Sequence, residues 1–157
     1  MPKQDWNINT GEAYAGEQYG LATTNSQRLT YSTEVAMAHF GLAVQPGAKY
    51  NTCKPGHDAG KILGVVMRQN ILESKTRPGD GTINIPVGQP LGIMLEGPVM
   101  VKLITAITDS KVGVSATGEF GGVAAGAYTE CTNAVALKYP AAAGDVIPIM
   151  INVIPKP

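Results

Sequence analysis

Two short segments carry the residue types from which phosphate-binding or nucleophilic sites are built. Residues 56–61 begin with glycine and end in glycine-lysine, as phosphate-binding loops do. Their spacing is one residue short, Ile62 stands where such loops place a magnesium-binding Ser or Thr, and no buried strand is predicted before them. Residues 113–118 miss the nucleophile-elbow pattern, because Thr117 stands where the second glycine belongs. We therefore predict no nucleotide site at residues 56–61 and interpret Ser115 as a turn residue.

Metal-binding and acid–base chemistry also lack candidates. Cys53, His57 and Asp58 could supply two or three metal ligands, but a closed zinc site needs four, so we interpret them as loop residues in a glycine-proline turn. His39 lies beside Phe40 at the start of a predicted strand, which favours a core or interface role over that of a catalytic base. No carboxylate pair shares a predicted strand face. The sequence predicts a non-enzymatic protein with no metal site and no cofactor.

The charge pattern limits the classes of partner. Lysine plus arginine equals aspartate plus glutamate at twelve each, and neither sign clusters, which disfavours nucleic-acid binding. Charged residues make up 15% of the chain, below the usual figure of about 25%. Interface cores are depleted in charge, so this value favours a surface that contacts other proteins, although a merely polar surface would give the same number.

The remaining composition is that of a reduced, soluble protein of one ordinary domain. Cys53 and Cys131 can form at most one disulfide, so we expect free thiols. No stretch approaches the roughly 18 to 20 apolar residues that cross a bilayer, and the first residues do not resemble a signal peptide. We therefore expect no membrane partner.

The chain divides into an arm and a body. Residues 1–30 contain no valine or phenylalanine, whereas all thirteen valines lie between Val35 and Val153. Such an arm buries too little apolar area to offset a backbone entropy cost of about 1 to 2 kcal/mol per residue, so we expect it to become ordered only on a partner. Residues 31–157 alternate short Val, Ile and Leu runs with Gly and Pro, which predicts an all-β barrel or sandwich.

The predicted strands cover residues 38–44, 61–68, 82–85, 93–107, 111–115, 134–138 and 145–153. In the long fourth run, Gly97 and Pro98 predict a bulge or bend between two shorter strands, because proline cannot donate to a ladder. Beyond this point both faces of the run are apolar, which favours a subunit contact on the face that carries Met100. Residues 32–38 could form either a short helical turn or a loop.

Isolated aromatic residues along the arm are the candidate docking residues. Trp6, Tyr14 and Tyr19 could insert into pockets of a partner, each burying a large area at a small cost in side-chain entropy. The alternative is that they pack against the arm's own body. Arg28, at the root of the arm, could bind a partner carboxylate with its forked guanidinium, or could be exposed and without a role.

Several short motifs follow one another in a characteristic order, beginning with SQRLT at residues 26–30 and HFGLAV at residues 39–44. These two are similar to the "SRT" and "PFGRAV" patterns of the structural cement proteins that decorate tailed-bacteriophage heads. The resemblance continues through 62–66 (ILGVV) and 96–101 (EGPVMV), the glycine-bounded stretch 112–120, and 141–145 (AAAGD) before the last strand. This chain departs from the family at Gln27, which is inserted before Arg28, at Leu42 and at Asp145.

The resemblance implies a small β-barrel body, oligomeric on the capsid exterior, with an N-terminal arm that bridges adjacent major capsid protein subunits. We accordingly expect a head decoration protein that forms a homotrimer, located on the outside of the virion. A receptor- or carbohydrate-binding β-module of a virion is the alternative, and would need an exposed aromatic platform on the body. A small hydrolase or lyase on a β-barrel is a third possibility, and would need a pocket with convergent polar groups near His39 or His57.

Overall fold

The computed structural model describes residues 14–20, 26–69 and 84–152. These residues form nine β-strands and one 3-10 turn, Val123–Ala125, and the described ranges contain no helix with the length and apolar character needed to span a membrane. The strands are β1 Gln27–Thr33, β2 Ala43–Pro46, β3 Thr52–Pro55, β4 Gly64–Val66, β5 Pro90–Lys102, β6 Lys111–Val114, β7 Phe120–Gly121, β8 Thr129–Ala136 and β9 Val146–Ile151. The predicted all-β fold is confirmed.

Five strands close into a barrel in the order β1-β3-β2-β4-β5. The ring closes because β1 pairs with β5 as well as with β3, in an antiparallel register that runs from Gln27 opposite Glu96 to Ser32 opposite Pro90. The pairing of β1 with β3 is parallel, and the other pairings around the ring are antiparallel. Of the two architectures left open by the sequence, this part of the body adopts the barrel.

A second sheet, in the order β5-β9-β8-β6-β7, shares the long strand β5 with the barrel. This sheet curls until Phe120 of β7 forms a parallel bridge with Leu103, just beyond β5, where the Ile104 N–H donates to the Phe120 carbonyl at 2.8 Å. The two shorter strands predicted on either side of Gly97 and Pro98 are wrong, because β5 is one strand of 13 residues; its register shift against β1 lies at residues 94–96, and it does not divide at Gly97 and Pro98. It exchanges partners there instead: β9 pairs with β5 from Gly97 to Lys102, and Gly97 has a φ of 121°, which strongly favours glycine.

Two hydrophobic cores result, and three strands of the barrel contribute to both. One face of each strand fills the barrel interior, through Val44, Val66 and Ile93. The opposite face packs towards the second sheet, through Ala43, Val65 and Met94. Burial on both faces is the reason that β4 reads as a continuous apolar run with no alternation.

Several element predictions are wrong in their details. Residues 38–42 form no strand, and β2 begins only at Ala43, just after Gly41, whose φ is 81°. In the run predicted at 82–85, Ile85 makes a single bridge to Met37, and residues 82–83 lie outside the described ranges. Strands β1, β3 and β7 were not predicted, because they are short or polar and gain their partners only from the closed sheets.

The division into an arm of residues 1–30 and a body of residues 31–157 stays a prediction. Strand β1 begins at Gln27, so the last four residues of the predicted arm are paired with β5. In the stretch 32–38, Ser32 and Thr33 complete β1 and the following residues form a loop, so the loop alternative holds there.

Candidate docking surfaces

Residues 14–20 lie against β5 through backbone hydrogen bonds. The Gly16 N–H donates to the Met100 carbonyl at 2.8 Å, and the Met100 N–H donates to the Glu17 carbonyl at 2.8 Å. The Tyr19 N–H donates to the Pro98 carbonyl at 3.2 Å. For this segment the expectation that the arm becomes ordered only on a partner is wrong, because ladder bonds can hold a segment that lacks apolar side chains.

The same segment also reaches the end of β4. The Arg68 N–H donates to the Gly16 carbonyl at 3.0 Å. Gly16 has a φ of +88°, and a Cβ there would lie 2.8 Å from both the Arg68 nitrogen and the Val66 oxygen. Gly41 faces this segment with a φ of +81°, and its Cβ would lie 2.6 Å from the Ala15 Cβ. Glycine at these two positions permits the close backbone approach that seats residues 14–20.

Tyr14 packs against the chain's own body, which was the alternative to docking on a partner. The Arg68 guanidinium lies 3.8 Å from the centroid of the Tyr14 ring, within cation–π range. Glu17 holds the same guanidinium, with 3.6 Å between its Oε1 and the Arg68 Nη1. Tyr14 remains 57% exposed, so part of its surface is still accessible.

The other candidate docking residues are not brought together with Tyr14 by any contact in the described ranges. Tyr19 is half-buried near the end of segment 14–20, which lies alongside β5. Trp6 lies outside the described residues. Arg28 is exposed in β1 opposite Met94, next to a register shift between residues 27 and 28. A docking role for Trp6, Tyr14, Tyr19 and Arg28 stays a prediction.

The apolar second face of β5 is partly covered within the chain. Met100 is only 7% exposed, and its backbone is bonded to residues 16 and 17, so its apolar character does not by itself indicate a subunit contact. Other exposed apolar residues lie at the end of β8 and just beyond it. Val135, Leu137 and Tyr139, which we call the β8 strip, are 42%, 45% and 53% exposed. Where exposed apolar residues lie together, they are typical of protein contacts.

A cavity of about 330 Å³ lies between residues 35–38, the end of β3 and the β6–β7 turn, close to His39. Its polar side chains are Lys54, Thr117 and Glu119. The Glu119 carboxylate binds the His39 Nε2 at 2.9 Å, and the His39 Nδ1 donates to the Phe40 carbonyl at 2.9 Å. Nε2 therefore holds the loop to the turn, while Nδ1 is bonded within the loop, and this histidine is not aimed at a nucleophile.

The hydroxyl and imidazole groups singled out in the sequence lie in turns. Ser115 accepts a hydrogen bond from the Glu119 N–H at 3.0 Å and lies 2.9 Å from the Thr117 hydroxyl. His57 accepts one from the Gly60 N–H at 3.1 Å, in the tight turn that joins Asp58 to Lys61. Among the described residues, no three of the types His, Cys, Asp and Glu are arranged to hold a metal ion.

Both cysteines are free and buried. Burial raises the pKa of the Cys53 thiol to about 11, and the nearby Glu34 charge adds to the effect. Burial also raises the pKa of Cys131. A thiol that stays protonated at neutral pH is a poor nucleophile and a poor metal ligand, so these residues serve the cores.

Comparison with known families adds one match. A family model described as "Structural cement protein (E217 gp24/Pam3 gp6)" matches residues 1–152, nearly the whole chain. This match confirms the resemblance read from the short motifs. No curated protein sequence matches the chain.

Proposed function

The chain belongs to the structural cement protein family, and on that premise we propose that it is a non-enzymatic decoration protein of a tailed-phage head. In this proposal it binds the outside of the capsid and stabilises contacts between major capsid protein subunits. The family match over residues 1–152 is the observation that carries the proposal. The sequence carries no complete catalytic motif, and the polar side chains around the cavity are bonded to one another, His39 to Glu119 and Ser115 to Thr117, which also supports the proposal.

The seated segment 14–20 supports a bridging role for the residues that precede it. Its backbone bonds to Pro98 and Met100 fix the point at which residues 1–13 attach. From that point, thirteen residues at about 3.3 Å each can reach at most about 40 Å, enough to cross to a neighbouring subunit. A fixed point of departure lowers the ordering cost of binding, because fewer residues must be immobilised on the partner.

Self-association would multiply the strength of each arm. We propose a homotrimer, whose three arms act at an effective concentration far above that of free monomers. The β8 strip supports such an assembly, since Val135 in β8 and Leu137 just beyond it are exposed apolar side chains. Sizing by light scattering should give three times the chain mass of 16.4 kDa.

The function is tested by co-sedimentation with undecorated capsids of the cognate phage. The full chain should sediment with them, and a variant lacking residues 1–13 should lose most of its binding while its melting temperature stays unchanged. A variant lacking residues 153–157 is the matched control and should bind normally. If the full chain fails to sediment, the decoration function is refuted. If the variant lacking residues 1–13 binds as well as the full chain, the role of the arm is refuted.

A further inference from the structure

The turn between β2 and β3, residues 47–51, presents one tyrosine to solvent. We call this turn the β2–β3 tip. Tyr50 is 93% exposed, more than any other large apolar or aromatic side chain of the described residues. A single exposed aromatic is common on protein surfaces and by itself indicates nothing. The way in which the tip is held makes this one different.

A single carboxylate holds the backbone of the tip. Glu34 Oε1 accepts hydrogen bonds from the Ala48 N–H at 2.9 Å, the Lys49 N–H at 3.1 Å and the Thr52 hydroxyl at 2.6 Å. Its Oε2 accepts a further bond from the Ala48 N–H at 3.1 Å. These bonds lower the pKa of Glu34, the one from Thr52 having the largest effect and that from Ala48 the next. The carboxylate thus stays ionised, and charge-assisted bonds are the stronger kind.

Backbone geometry adds to this restraint. The Gly47 N–H donates to the Thr52 carbonyl at 2.8 Å, and the Ser32 N–H donates to the Asn51 carbonyl at 2.9 Å. Asn51 has a φ of 56°, a left-handed conformation that few residues adopt as readily as asparagine. A Cβ at Gly47 would lie 2.7 Å from the Glu34 carboxyl carbon, so the fit also depends on a glycine. The tip is therefore ordered before it meets any partner.

An ordered loop that holds a tyrosine in water has the properties of a binding anchor. Tyrosine provides a large amphipathic contact at a low cost in side-chain entropy, and an ordered loop removes most of the remaining cost. We propose that the β2–β3 tip is a second docking site for the capsid, at which Tyr50 inserts into an apolar pocket of the major capsid protein. This inference rests on the proposed decoration function and adds to it a contact outside the arm.

Charge indicates the surroundings of that pocket. Lys49 and Lys54 are exposed at and beside the tip. The negative charge of Glu34 is directed inward, to two backbone N–H groups and a hydroxyl. The tip thus offers its partner a tyrosine whose chain neighbour, Lys49, carries an exposed ammonium group, which is complementary to an apolar pocket with a carboxylate at its rim.

The position of the tip suits attachment at two points. Ser32 pairs with Thr52 at the tip end of β1, whereas Gln27, at the other end, lies opposite Glu96, two residues before the Pro98 to which Tyr19 of the seated segment is bonded. Five residue steps of about 3.3 Å separate Gln27 from Ser32 by about 17 Å. Arm and tip can therefore bind separate places on the capsid, and the binding of one raises the effective concentration of the other.

The test compares full-length variants by co-sedimentation with undecorated cognate capsids. Tyr50→Ala should weaken binding about tenfold or more, as expected for the truncation of an anchor residue. Tyr50→Phe keeps the ring and should bind within about threefold of the unaltered chain. Ile104→Ala removes an exposed apolar side chain just beyond the opposite end of β5 and should bind normally. All three variants should have the melting temperature of the unaltered chain, because the replaced side chains are exposed.

Glu34→Gln tests the role of Glu34 as a positioning residue. It keeps Tyr50 but weakens the bonds to the tip, so amide exchange at Ala48 and Lys49 should quicken and capsid affinity should fall severalfold. Faster exchange with unchanged affinity would overturn the argument that the ordering of the tip matters.

The outcomes separate this inference from the decoration function. If the unaltered chain binds capsids and Tyr50→Ala binds equally well, the docking site at the tip is refuted while the decoration function stands. An equal loss in Tyr50→Phe or Ile104→Ala also refutes the insertion of a ring into an apolar pocket. A change in native mass, rather than in capsid affinity, would show that Tyr50 contacts a second copy of the chain, and would overturn the proposal. If the unaltered chain does not bind, both are refuted.

Discussion

Asn133 is the buried polar side chain whose removal should be most costly to this fold. It lies in β8 at 7% exposure. Its Nδ2 donates to the Ile62 carbonyl at 2.9 Å, and its Oδ1 accepts from the Ile62 N–H at 3.1 Å. The Cys131 thiol also donates to this oxygen, at 3.4 Å. One amide therefore satisfies both backbone groups of a residue that is itself only 5% exposed, and ties the segment before β4 to the second sheet.

The size of the effect follows from these two bonds. Asn133→Ala leaves the Ile62 N–H and carbonyl buried without partners, at about 1 to 3 kcal/mol each. The free energy of unfolding should therefore fall by about 2 to 6 kcal/mol. For a chain of this size, each kcal/mol shifts the melting temperature by about 2 to 4 °C. A loss near the middle of the range would lower it by roughly 12 °C.

Urea denaturation followed by circular dichroism measures this loss, with an unchanged m-value showing that the same surface unfolds. Thr132→Ala, an exposed neighbour on the same strand, is the matched control and should change stability by less than about 0.5 kcal/mol. Asn133→Asp keeps the acceptor but removes the donor and buries a charge, so it should be no milder than Asn133→Ala. A loss below about 1 kcal/mol in Asn133→Ala would refute the reasoning, because Ile62 would then have other partners.

Three further predictions concern separate parts of the chain. Gly16→Ala should cost about 1 to 3 kcal/mol and quicken amide exchange at Met100, because its Cβ would meet two backbone atoms at 2.8 Å. Gly20→Ala, with a φ of +76° but open space around it, should cost less, and equal costs would argue against the close contact. With a pKa of about 11, Cys53 should react slowly with iodoacetamide at pH 8 until the protein unfolds, whereas fast labelling of the native protein would contradict its burial. The pKa of Glu34 is lower in the folded state than in the unfolded state, where it is about 4.3. Glu34 should therefore stabilise the β2–β3 tip fully when the pH is above this unfolded-state pKa, and the effect should be lost as the pH falls through the folded-state pKa. NMR titration measures the midpoint, and a value at or above about 4.3 would contradict the bonding described.

The sequence alone was sufficient to predict what depends on local patterns. Apolar runs bounded by Gly and Pro predicted the all-β class and the approximate positions of β5, β6 and β9. The order of short motifs was sufficient to recognise the family, which the match over residues 1–152 confirms. Ser115 and His57 lie in turns, as the glycine and proline residues around them predicted. These features could be predicted because each depends on residues close together in the chain.

The tertiary structure decided whatever depends on pairs of residues distant in sequence. Polar β1 is a strand only because β3 and β5 offer it backbone partners on both sides. Residues 14–20, with few aliphatic side chains, are held by backbone bonds to β5 and Arg68 that no composition can reveal. Glu34 resembled part of a loop or helical turn, and only folding places its carboxylate under residues 48 and 49, where it orders the loop that carries Tyr50. Hydrogen-bond partners supplied from across a closed sheet leave no periodic signal in the sequence, and for that reason these surfaces emerged only from the folded chain.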